Sequence, residues 1–451
     1  MILPALTKRA NTLATAAVTL TASLLLSIGP ANAMKIQSVT SPGGITAWLV
    51  EEHGLPLVTV QFAFLGGSSQ DPEGKPGVAN FLSTMLDEGA GDIKSEEFQD
   101  REEELAAKMS FYASRDSFSG TFQTLSENRD KSADLLALAL NKPRFDSESA
   151  ERMRRQLLAS VQFDSKDPEK VAEQTWYETA YPGHPYGRPI NGTAESVTSI
   201  SSADLEAYRS RLFARDDLKI SVVGDIDPAT LGGLLDKVFG DLPAKAKPLP
   251  VAAVAPVSIR TQKLVAMDIP QSVATFGQIG LPRKDPDFIA AYILNYIIGG
   301  GGFSSRLMEE VREKRGLCYS VYSYINPLQR SSVYMGGVAT KTDSMDKSLE
   351  VIRSVFSQMA KDGPTEQELA EAKQYLTGSY ALNFTSSKAI GGQLLGLQIQ
   401  DLPIDYVDTR NAKVEAVTID DIRRVAQRLL KPDQFIVTVV GRMAKPGLAQ
   451  N

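Results

Sequence analysis

Residues 299–324 read GGGGFSSRLMEEVREKRGLCYSVYSY and join a glycine run, a helix and a strand. A serine can cap a helix whose apolar residues share one face at a spacing of four: Phe303, Leu307 and Val311. Gly316 ends the helix, because glycine most readily adopts a left-handed conformation, and the aromatic, Val and Ser residues over 317–324 predict a strand. We therefore expect Arg312 in the last helical turn and Tyr319 at the start of the strand.

The glycine run and Arg312 also have simple structural roles. The glycines can form a flexible turn, and they lack both the lysine of a P-loop and the spacing of a dinucleotide fingerprint. Arg312 can form an i, i+3 ion pair with Glu309, worth only ~0.2–0.5 kcal/mol on an exposed helix. Taken alone, the stretch therefore predicts local structure and no chemistry.

The first 33 residues have the pattern of a secretory signal peptide. Lys8 and Arg9 precede an apolar run over 13–28, and Ala31-Asn32-Ala33 offers small residues at the positions that a cleavage site requires. We expect cleavage after Ala33, a periplasmic location and no membrane span in the mature chain. An uncleaved anchor is the alternative, but the run is shorter than the ~20 apolar residues that a spanning helix needs.

Composition limits the partners and the number of domains. After cleavage, 46 basic and 54 acidic residues remain, which argues against nucleic acid and anionic membranes as partners. The remaining 418 residues exceed the size at which a single core stops growing, so we expect at least two domains. Cys318 is the only cysteine, and we expect it to be a small buried apolar residue, because a nucleophilic role would need a nearby base.

The chain contains an internal repeat. Five positions correspond at a displacement of 217 without a gap, three with the same residue and two with a similar one: Val197, Ile200, Asp204, Leu205 and Gly224 match Val414, Val417, Asp421, Ile422 and Gly441. The strand endings ISVVG and VTVVG share this register, so we expect two copies of one domain. The predicted divisions are a signal peptide over 1–33, an N-terminal domain over 34–244, a proline-rich linker over 245–258 and a C-terminal domain over 259–451.

Local patterns in the first half predict several elements. Two strand-like runs over 45–50 and 58–65 flank Gly54-Leu55-Pro56, which predicts a hairpin, and a second pair of strands is expected over 110–112 and 117–122. Between these pairs, the segment 77–89 reads GVANFLSTMLDEG and predicts an apolar helix over 77–87.

At this point the chain resembles the M16 (pitrilysin-like) metallopeptidase family, specifically its exported two-domain members. The resemblance covers nearly the whole mature chain and is carried by the duplicated halves, by GHPYGRPINGT at 183–193 and by SSRLMEEVREKRGLCYSV at 304–321. It implies an α/β (α+β) fold of two homologous domains, each with a mainly antiparallel sheet backed by helices.

The zinc motif of active relatives is missing from the matching positions. In those relatives, H-x-x-E-H on the first-half helix supplies two zinc ligands and the glutamate that activates water, and a third, acidic ligand follows on another helix. Here these positions are occupied by Asn80, Ser83, Thr84 and Ser160. Neutral hydroxyls and an amide cannot replace imidazole and carboxylate ligands, so we expect no metal and no cofactor in this chain.

The chain has two histidines, His53 and His184, so a histidine pair one helical turn apart cannot be made. His53 lies beside Glu51 and Glu52 at a predicted turn, and we expect an exposed, solvated side chain. His184 lies between a glycine and a proline, and we expect it to fix a loop by hydrogen bonding rather than to bind metal.

The resemblance also implies a role for the second-half motif. In M16 enzymes an arginine and a tyrosine seven residues apart face the zinc site across a closed chamber, hold the substrate backbone and help to polarise the scissile carbonyl. Arg312 and Tyr319 have that spacing and those neighbours. In relatives of this size two chains assemble face to face, so that the pair of one chain completes the zinc site of the other. The resemblance further predicts a mobile chamber loop formed by Gly299, Gly300, Gly301 and Gly302.

Together these implications predict a non-catalytic subunit of a heterodimeric periplasmic zinc endopeptidase that acts on peptides or unfolded polypeptides. The expected partner is an M16 subunit that carries H-x-x-E-H and the zinc. The alternative is a peptide-binding or scaffold protein of the same fold without a peptidase partner. A metal-independent hydrolase is a third hypothesis, but no Ser-His-Asp or Cys-His arrangement is readable in the sequence.

Overall fold

The computed structural model describes residues 34–257 and 259–442, so the expected signal peptide over 1–33 lies outside the described residues. Within these ranges, no helix combines the length and the apolar character that crossing a membrane requires.

The first half of the described chain forms one main sheet. The strands of this half are β1 (Gln37–Thr40), β2 (Thr46–Glu51), β3 (Leu57–Leu65), β4 (Gly89–Ala90), β5 (Ile93–Lys94), β6 (Lys108–Ala113), β7 (Ser117–Leu125) and β8 (Leu218–Gly224). The short strands β4 and β5 form a separate hairpin outside the main sheet. The order across the six-stranded sheet is β1-β2-β8-β3-β7-β6. Neighbouring strands are antiparallel from β8 to β6, whereas β2 and β8 are parallel.

The second half of the described chain repeats this sheet. Its strands are β9 (Thr261–Ala266), β10 (Gln271–Ile279), β11 (Cys318–Pro327), β12 (Ser332–Lys341) and β13 (Ile436–Gly441), in the order β9-β13-β10-β12-β11. This order matches β2-β8-β3-β7-β6 strand for strand, and the parallel pair falls at the same place. The repeat found in the sequence therefore corresponds to a duplication of five strands of the sheet, with β1 as an addition in the first half, while the exact domain boundaries stay a prediction.

One of the two predicted hairpins is wrong. The strands β2 and β3 both form, but β8 lies between them and pairs with each. Turn residues and strand propensity indicate where strands begin and end, but they do not reveal that a distant, fully buried strand inserts between two neighbours in sequence. The second predicted pair, β6 and β7, is confirmed as an antiparallel pair.

Helices connect and follow the strands in both halves. In the first half they are α1 (Val78–Ser83), α2 (Ser95–Glu104), α3 (Arg129–Asn141), α4 (Ser147–Asp164), α5 (Pro168–Ala180), α6 (Ala194–Ser199), α7 (Ser202–Leu212) and α8 (Pro228–Phe239). In the second half they are α9 (Phe288–Asn295), α10 (Met345–Asp362), α11 (Glu366–Gly378), α12 (Ser387–Ile399), α13 (Tyr406–Ala416) and α14 (Ile419–Leu429).

The repeated aspartates have a local structural cause. Asp204 closes a capping box with Ser201 at the start of α7, and Asp421 closes the same box with Thr418 at the start of α14. Each pair satisfies backbone N–H groups at a helix N-terminus that would otherwise lack partners. The repeated sequence therefore preserves the same helix start in both halves.

Each sheet is covered on one face by a helix from the opposite half. The first-half helix α5 packs on β10 and β13, where the indole N–H of Trp176 donates to the carbonyl of Ile436 at 3.0 Å. The second-half helix α12 packs on β3 and β8, where the hydroxyl of Ser221 donates to the carbonyl of Gly391 at 2.8 Å. The two halves therefore complete each other's cores.

Candidate functional site

The first three positions of the zinc motif lie on the short helix α1 and at its C-terminal cap. The predicted helix over 77–87 extends only over α1, and Thr84 is its C-terminal cap. The Ser83 hydroxyl donates to the carbonyl of Asn80 at 2.7 Å, and the Thr84 hydroxyl donates to the carbonyl of Phe81 at 2.9 Å. The Ser83 and Thr84 side chains are thus engaged with the backbone of their own helix.

Asp71 holds the start of this helix and was not identified from the sequence as a site residue. Its carboxylate accepts hydrogen bonds from the backbone N–H groups of Gly77 at 2.7 Å and Ala79 at 2.8 Å. Burial raises the pKa of Asp71 from 3.8 to about 7. A carboxylate that caps the first turn from six residues upstream has no local sequence signature, although Asp71-Pro72 recurs in the second half as Asp285-Pro286.

The fourth position, Ser160, is exposed on α4. This helix packs against α1, where the guanidinium of Arg154 lies over the ring of Phe81 at 5.1 Å. The structure therefore brings together the two helices that carry the motif in active relatives. The donors that they present here are an amide and three hydroxyls, and the described residues contain no group of three His, Cys, Asp or Glu side chains arranged to hold a metal ion. The site does not fit zinc.

In the second half, the predicted α-helix after the glycines is replaced by π-helical and 3-10 turns. A π-helical turn over Tyr296–Gly300 is followed by a 3-10 turn over Gly302–Ser304 and a second π-helical turn over Met308–Glu313. Leu307 and Val311 are buried as the pattern predicts. Apolar residues four apart fit both kinds of helix, which is why the sequence did not reveal the wider turn.

The wider turn changes the ion pairs of this segment. Residues five apart become neighbours, and Glu309 pairs with Lys314 at 2.9 Å while Glu310 pairs with Arg315 at 2.6 Å. Arg312 has Glu313 at 3.6 Å, and its expected pair with Glu309 is not formed within the described chain. Glu309 and Glu310 are thus paired with Lys314 and Arg315 rather than with Arg312.

A second irregularity places Tyr319. Along the pairing of β11 with β12, Cys318 lies opposite Thr340 and Ser320 lies opposite Ala339, so Tyr319 is the extra residue of a bulge. Bulges re-aim side chains and are common next to functional sites. The Tyr319 side chain is accordingly 75% exposed. Gly316, which precedes the strand, has φ +60°, as its predicted role at the helix end requires.

These two irregularities bring Arg312 and Tyr319 together. The guanidinium carbon of Arg312 lies 5.3 Å from the centroid of the Tyr319 ring and 4.9 Å from that of Phe303. The Arg312 side chain is 30% exposed and donates no hydrogen bond to another residue in the described part of the chain. A guanidinium and a phenol side by side can donate hydrogen bonds to a peptide carbonyl or a developing oxyanion without binding metal.

The glycine run is not the uniform loop that we predicted. Gly299 and Gly300 belong to the first π-helical turn, and a Cβ at Gly299 would lie 2.4 Å from the hydroxyl oxygen of Ser323. Close packing, rather than mobility, therefore requires glycine at this position. Gly302 differs, because it has φ +57° and no atom within 4 Å of the position of a Cβ.

A cleft opens beside β11, where α5 of the first half meets the second-half sheet. It has an empty volume of about 570 Å³, and Glu169, Glu173, Tyr322 and Tyr324 are among the residues that line it. The two tyrosine rings are stacked with centroids 6.2 Å apart. The sequence analysis missed this cleft, because its two walls come from different halves and no local pattern joins them.

The remaining candidates have structural roles. Cys318 is half-buried rather than buried as expected, and desolvation raises the pKa of its thiol to about 11, which keeps the thiol protonated near neutral pH. His184 bonds through Nε2 to the carbonyl of Ala252 at 3.0 Å and accepts the N–H of Tyr186 at 3.1 Å, which ties its loop to the linker. His53 is exposed, and its hydrogen bond to Asp225 raises its pKa.

Two family models match the chain in succession. Residues 48–194 match the model described as Insulinase (Peptidase family M16), and residues 199–376 match the model described as Peptidase M16 inactive domain. The chain therefore belongs to the M16 peptidase family. With the zinc ligands absent from the matching positions, it is a non-catalytic member of that family.

Relatives and solved structures agree with this placement. The chain is 25% identical over 374 residues to the non-peptidase homolog YmxG of Helicobacter pylori, with 82% of this chain and 86% of the relative covered. It is also 25% identical to the uncharacterized zinc protease YmxG of Bacillus subtilis, over 78% of this chain and 86% of that protein. The crystal structure of a peptidase M16 inactive domain from Pseudomonas fluorescens superimposes with a TM-score of 0.85 at 29% identity, over 92% of this chain and 99% of that one. The predicted family and fold class are confirmed.

Proposed function

We propose that this chain is the non-catalytic subunit of a heterodimeric zinc endopeptidase, in which it forms half of a peptide chamber. The observation that carries the proposal is the contrast between the two halves. The first-half positions hold donors that do not fit zinc, while Arg312 and Tyr319 lie 5.3 Å apart and are accessible. Such a pair is of use in hydrolysis only if another chain supplies the metal and the activated water.

In this role, Arg312 and Tyr319 act as hydrogen-bond donors in trans. The guanidinium holds a backbone carbonyl of the substrate, and the phenol donates to the oxygen that becomes negatively charged when water attacks. Donors fixed before the reaction stabilise that charge without the cost of reorganising solvent. The nucleophile and the zinc belong to the partner, which carries the H-x-x-E-H motif.

The cleft beside β11 is the proposed path for the peptide. It begins one residue after Tyr319, at Ser320, and it continues along Tyr322 and Tyr324. Aromatic rings and two glutamates offer an extended peptide both apolar contact and negative charge. The substrate in this proposal is a peptide or an unfolded polypeptide segment.

The proposed location is the periplasm. Its support is the pair Lys8 and Arg9, the apolar run that follows and the small residues at Ala31 and Ala33. N-terminal sequencing of the native protein should begin at Met34. A mature chain that retains residues 1–33 would contradict the proposed cleavage.

The test of the proposed function is co-purification of the native protein, followed by metal analysis and a hydrolysis assay with an unfolded polypeptide such as labelled casein. We expect a complex of two unlike M16 chains with one zinc per pair and none in this chain alone. Mixing the separated chains should raise hydrolysis well above that of the partner alone. If mixing forms a complex but leaves hydrolysis unchanged, this chain contributes nothing to the chemistry.

That outcome would favour the second candidate, a peptide-binding or scaffold protein without a peptidase partner. The cleft supports this candidate, because it can hold a peptide whether or not a zinc chain is present. Binding of labelled casein by the isolated chain, together with no zinc-containing partner in the native complex, would establish it.

A further inference from the structure

Phe303 has an exposed position that its sequence pattern does not predict. The spacing with Leu307 and Val311 places it on the buried helical face, but both of those residues are buried and Phe303 is 71% exposed. It lies in the 3-10 turn over Gly302–Ser304, which begins at a glycine with φ +57°. An exposed phenylalanine on a structured turn therefore calls for an explanation other than core packing.

The ring of Phe303 has a specific contact. The guanidinium carbon of Arg312 lies over it at 4.9 Å from the centroid, closer than the 5.3 Å to the Tyr319 ring. Attraction between a cation and the face of a ring favours such a contact by about two- to fivefold at exposed sites. Rings cover the flat face of a guanidinium and leave the N–H groups at its edge free to donate.

The neighbouring charges strengthen this reading. Glu309 and Glu310 would each compete for Arg312, but the π-helical turn pairs them with Lys314 and Arg315. The contact with Glu313 is long, at 3.6 Å. Two rings therefore cover the guanidinium, and the Glu313 carboxylate, which lies 3.6 Å from Nε, is beyond hydrogen-bond distance.

We propose that Phe303 is a positioning residue, which holds Arg312 in the orientation that presents its N–H edge to a peptide carbonyl. The inference rests on the proposed function, because it assigns to Phe303 the preparation of the donor that the partner's site uses. Phe303 itself touches no reacting atom. Its effect is to limit the number of Arg312 rotamers that must be given up when substrate binds.

The first experiment tests the contact in the isolated chain. Phenylglyoxal modifies accessible guanidinium groups, and peptide mass spectrometry reports the rate at Arg312. Phe303→Leu should speed modification of Arg312 by about two- to fivefold, the factor expected for loss of a cation–ring contact at an exposed site. Phe303→Tyr, which keeps a ring, should leave the rate unchanged. Phe163→Leu is the matched control, because Phe163 is 72% exposed and no cation lies over its ring in the described part of the chain.

The second experiment tests the consequence in the complex with the catalytic partner. Phe303→Leu should lower kcat/KM for labelled casein by about two- to fivefold, Phe303→Tyr should restore it, and Phe303→Leu should have no further effect when Arg312 is already alanine. An unchanged modification rate at Arg312, or a Phe303→Leu loss that persists in the Arg312→Ala background, would overturn the positioning role. If Arg312→Ala itself leaves turnover intact, the proposed function fails, and the modification rates still decide whether Phe303 contacts Arg312.

Discussion

The two halves of this chain have the same sheet and differ in how they treat the positions that matter for chemistry. In the first half, Ser83 and Thr84 donate hydrogen bonds to carbonyls of their own helix, and the helix that carries them ends there. In the second half, a π-helical turn and a bulge turn Arg312 and Tyr319 outward. A duplicated fold can therefore lose one site through side-chain replacement alone, while the other site depends on departures from regular backbone geometry.

The largest expected effect is on Arg312. Arg312→Ala should lower kcat of the complex with the catalytic subunit by about 10²- to 10³-fold, because it removes a preorganised donor to the transition state. Assembly, measured by sedimentation, should be unchanged. Arg423→Ala is the control, since it removes the same charge from a half-exposed side chain that pairs with Asp420 and not with the glutamates beside Arg312. Equal losses for both variants would show a general charge effect and would contradict the role of Arg312.

Gly299 tests whether the second-half geometry depends on close packing. Gly299→Ala should destabilise the chain by ~1–3 kcal/mol, because the new Cβ would lie 2.4 Å from the hydroxyl oxygen of Ser323 and 2.7 Å from its backbone nitrogen. Gly302→Ala has open space and should lose only ~1 kcal/mol through its positive φ. Urea denaturation of both variants measures the difference, and equal losses would mean that the run is a loop after all.

Two substitutions of Tyr319 distinguish the contribution of its hydroxyl from that of its ring. Tyr319→Phe keeps the contact with Arg312 and removes one hydrogen-bond donor, so kcat should fall by about fivefold, equivalent to ~1 kcal/mol. Tyr319→Leu removes both and should lose more. Hydrolysis of labelled casein by the reconstituted complex gives both values. The hydroxyl has no part in the reaction if the phenylalanine variant matches the native chain.

The smallest effect is expected in the first half. The double replacement Asn80→Ala and Thr84→Ala should change turnover of the complex by less than about twofold, because neither side chain can serve as a zinc ligand or as the base that activates water. The lost hydrogen bond from Thr84 to the carbonyl of Phe81 should cost only ~0.5–1.5 kcal/mol of stability. Zinc content of the complex should also be unchanged. A large loss of activity here would remove the contrast between the halves, since it would mean that the degenerate positions still serve the reaction.

Sequence reasoning recovered the features that depend on side-chain identity and on repetition. The displacement of 217 residues between Asp204 and Asp421 predicted the duplication, and the family resemblance implied a shared site for Arg312 and Tyr319, whose side chains lie close together. The missing zinc ligands at Asn80 and Thr84 were readable because metal chemistry tolerates few substitutes. Such features are encoded locally or at a constant spacing.

Features that depend on backbone irregularity or on long-range pairing were not recovered. The residues that form the π-helical turn over Met308–Glu313 have an apolar spacing that also fits an α-helix, and nothing in β11 announces that Tyr319 is bulged. Strand β8 pairs with β2 and β3, which are far from it in sequence. The cleft likewise joins Glu173 of the first half to Tyr322 of the second. Local propensity carries no information about such partners.

The exchange of helices makes each half structurally necessary to the other, including the half that lacks zinc ligands. Trp176 on α5 covers the second-half sheet at Ile436, and α12 covers the first-half sheet at Ser221. Deleting the first half would remove α5 from the second-half sheet and expose the apolar face of that sheet to water. The side chains at the zinc-ligand positions can differ without loss of the fold, whereas removal of the whole first half would leave the second-half sheet without part of its core.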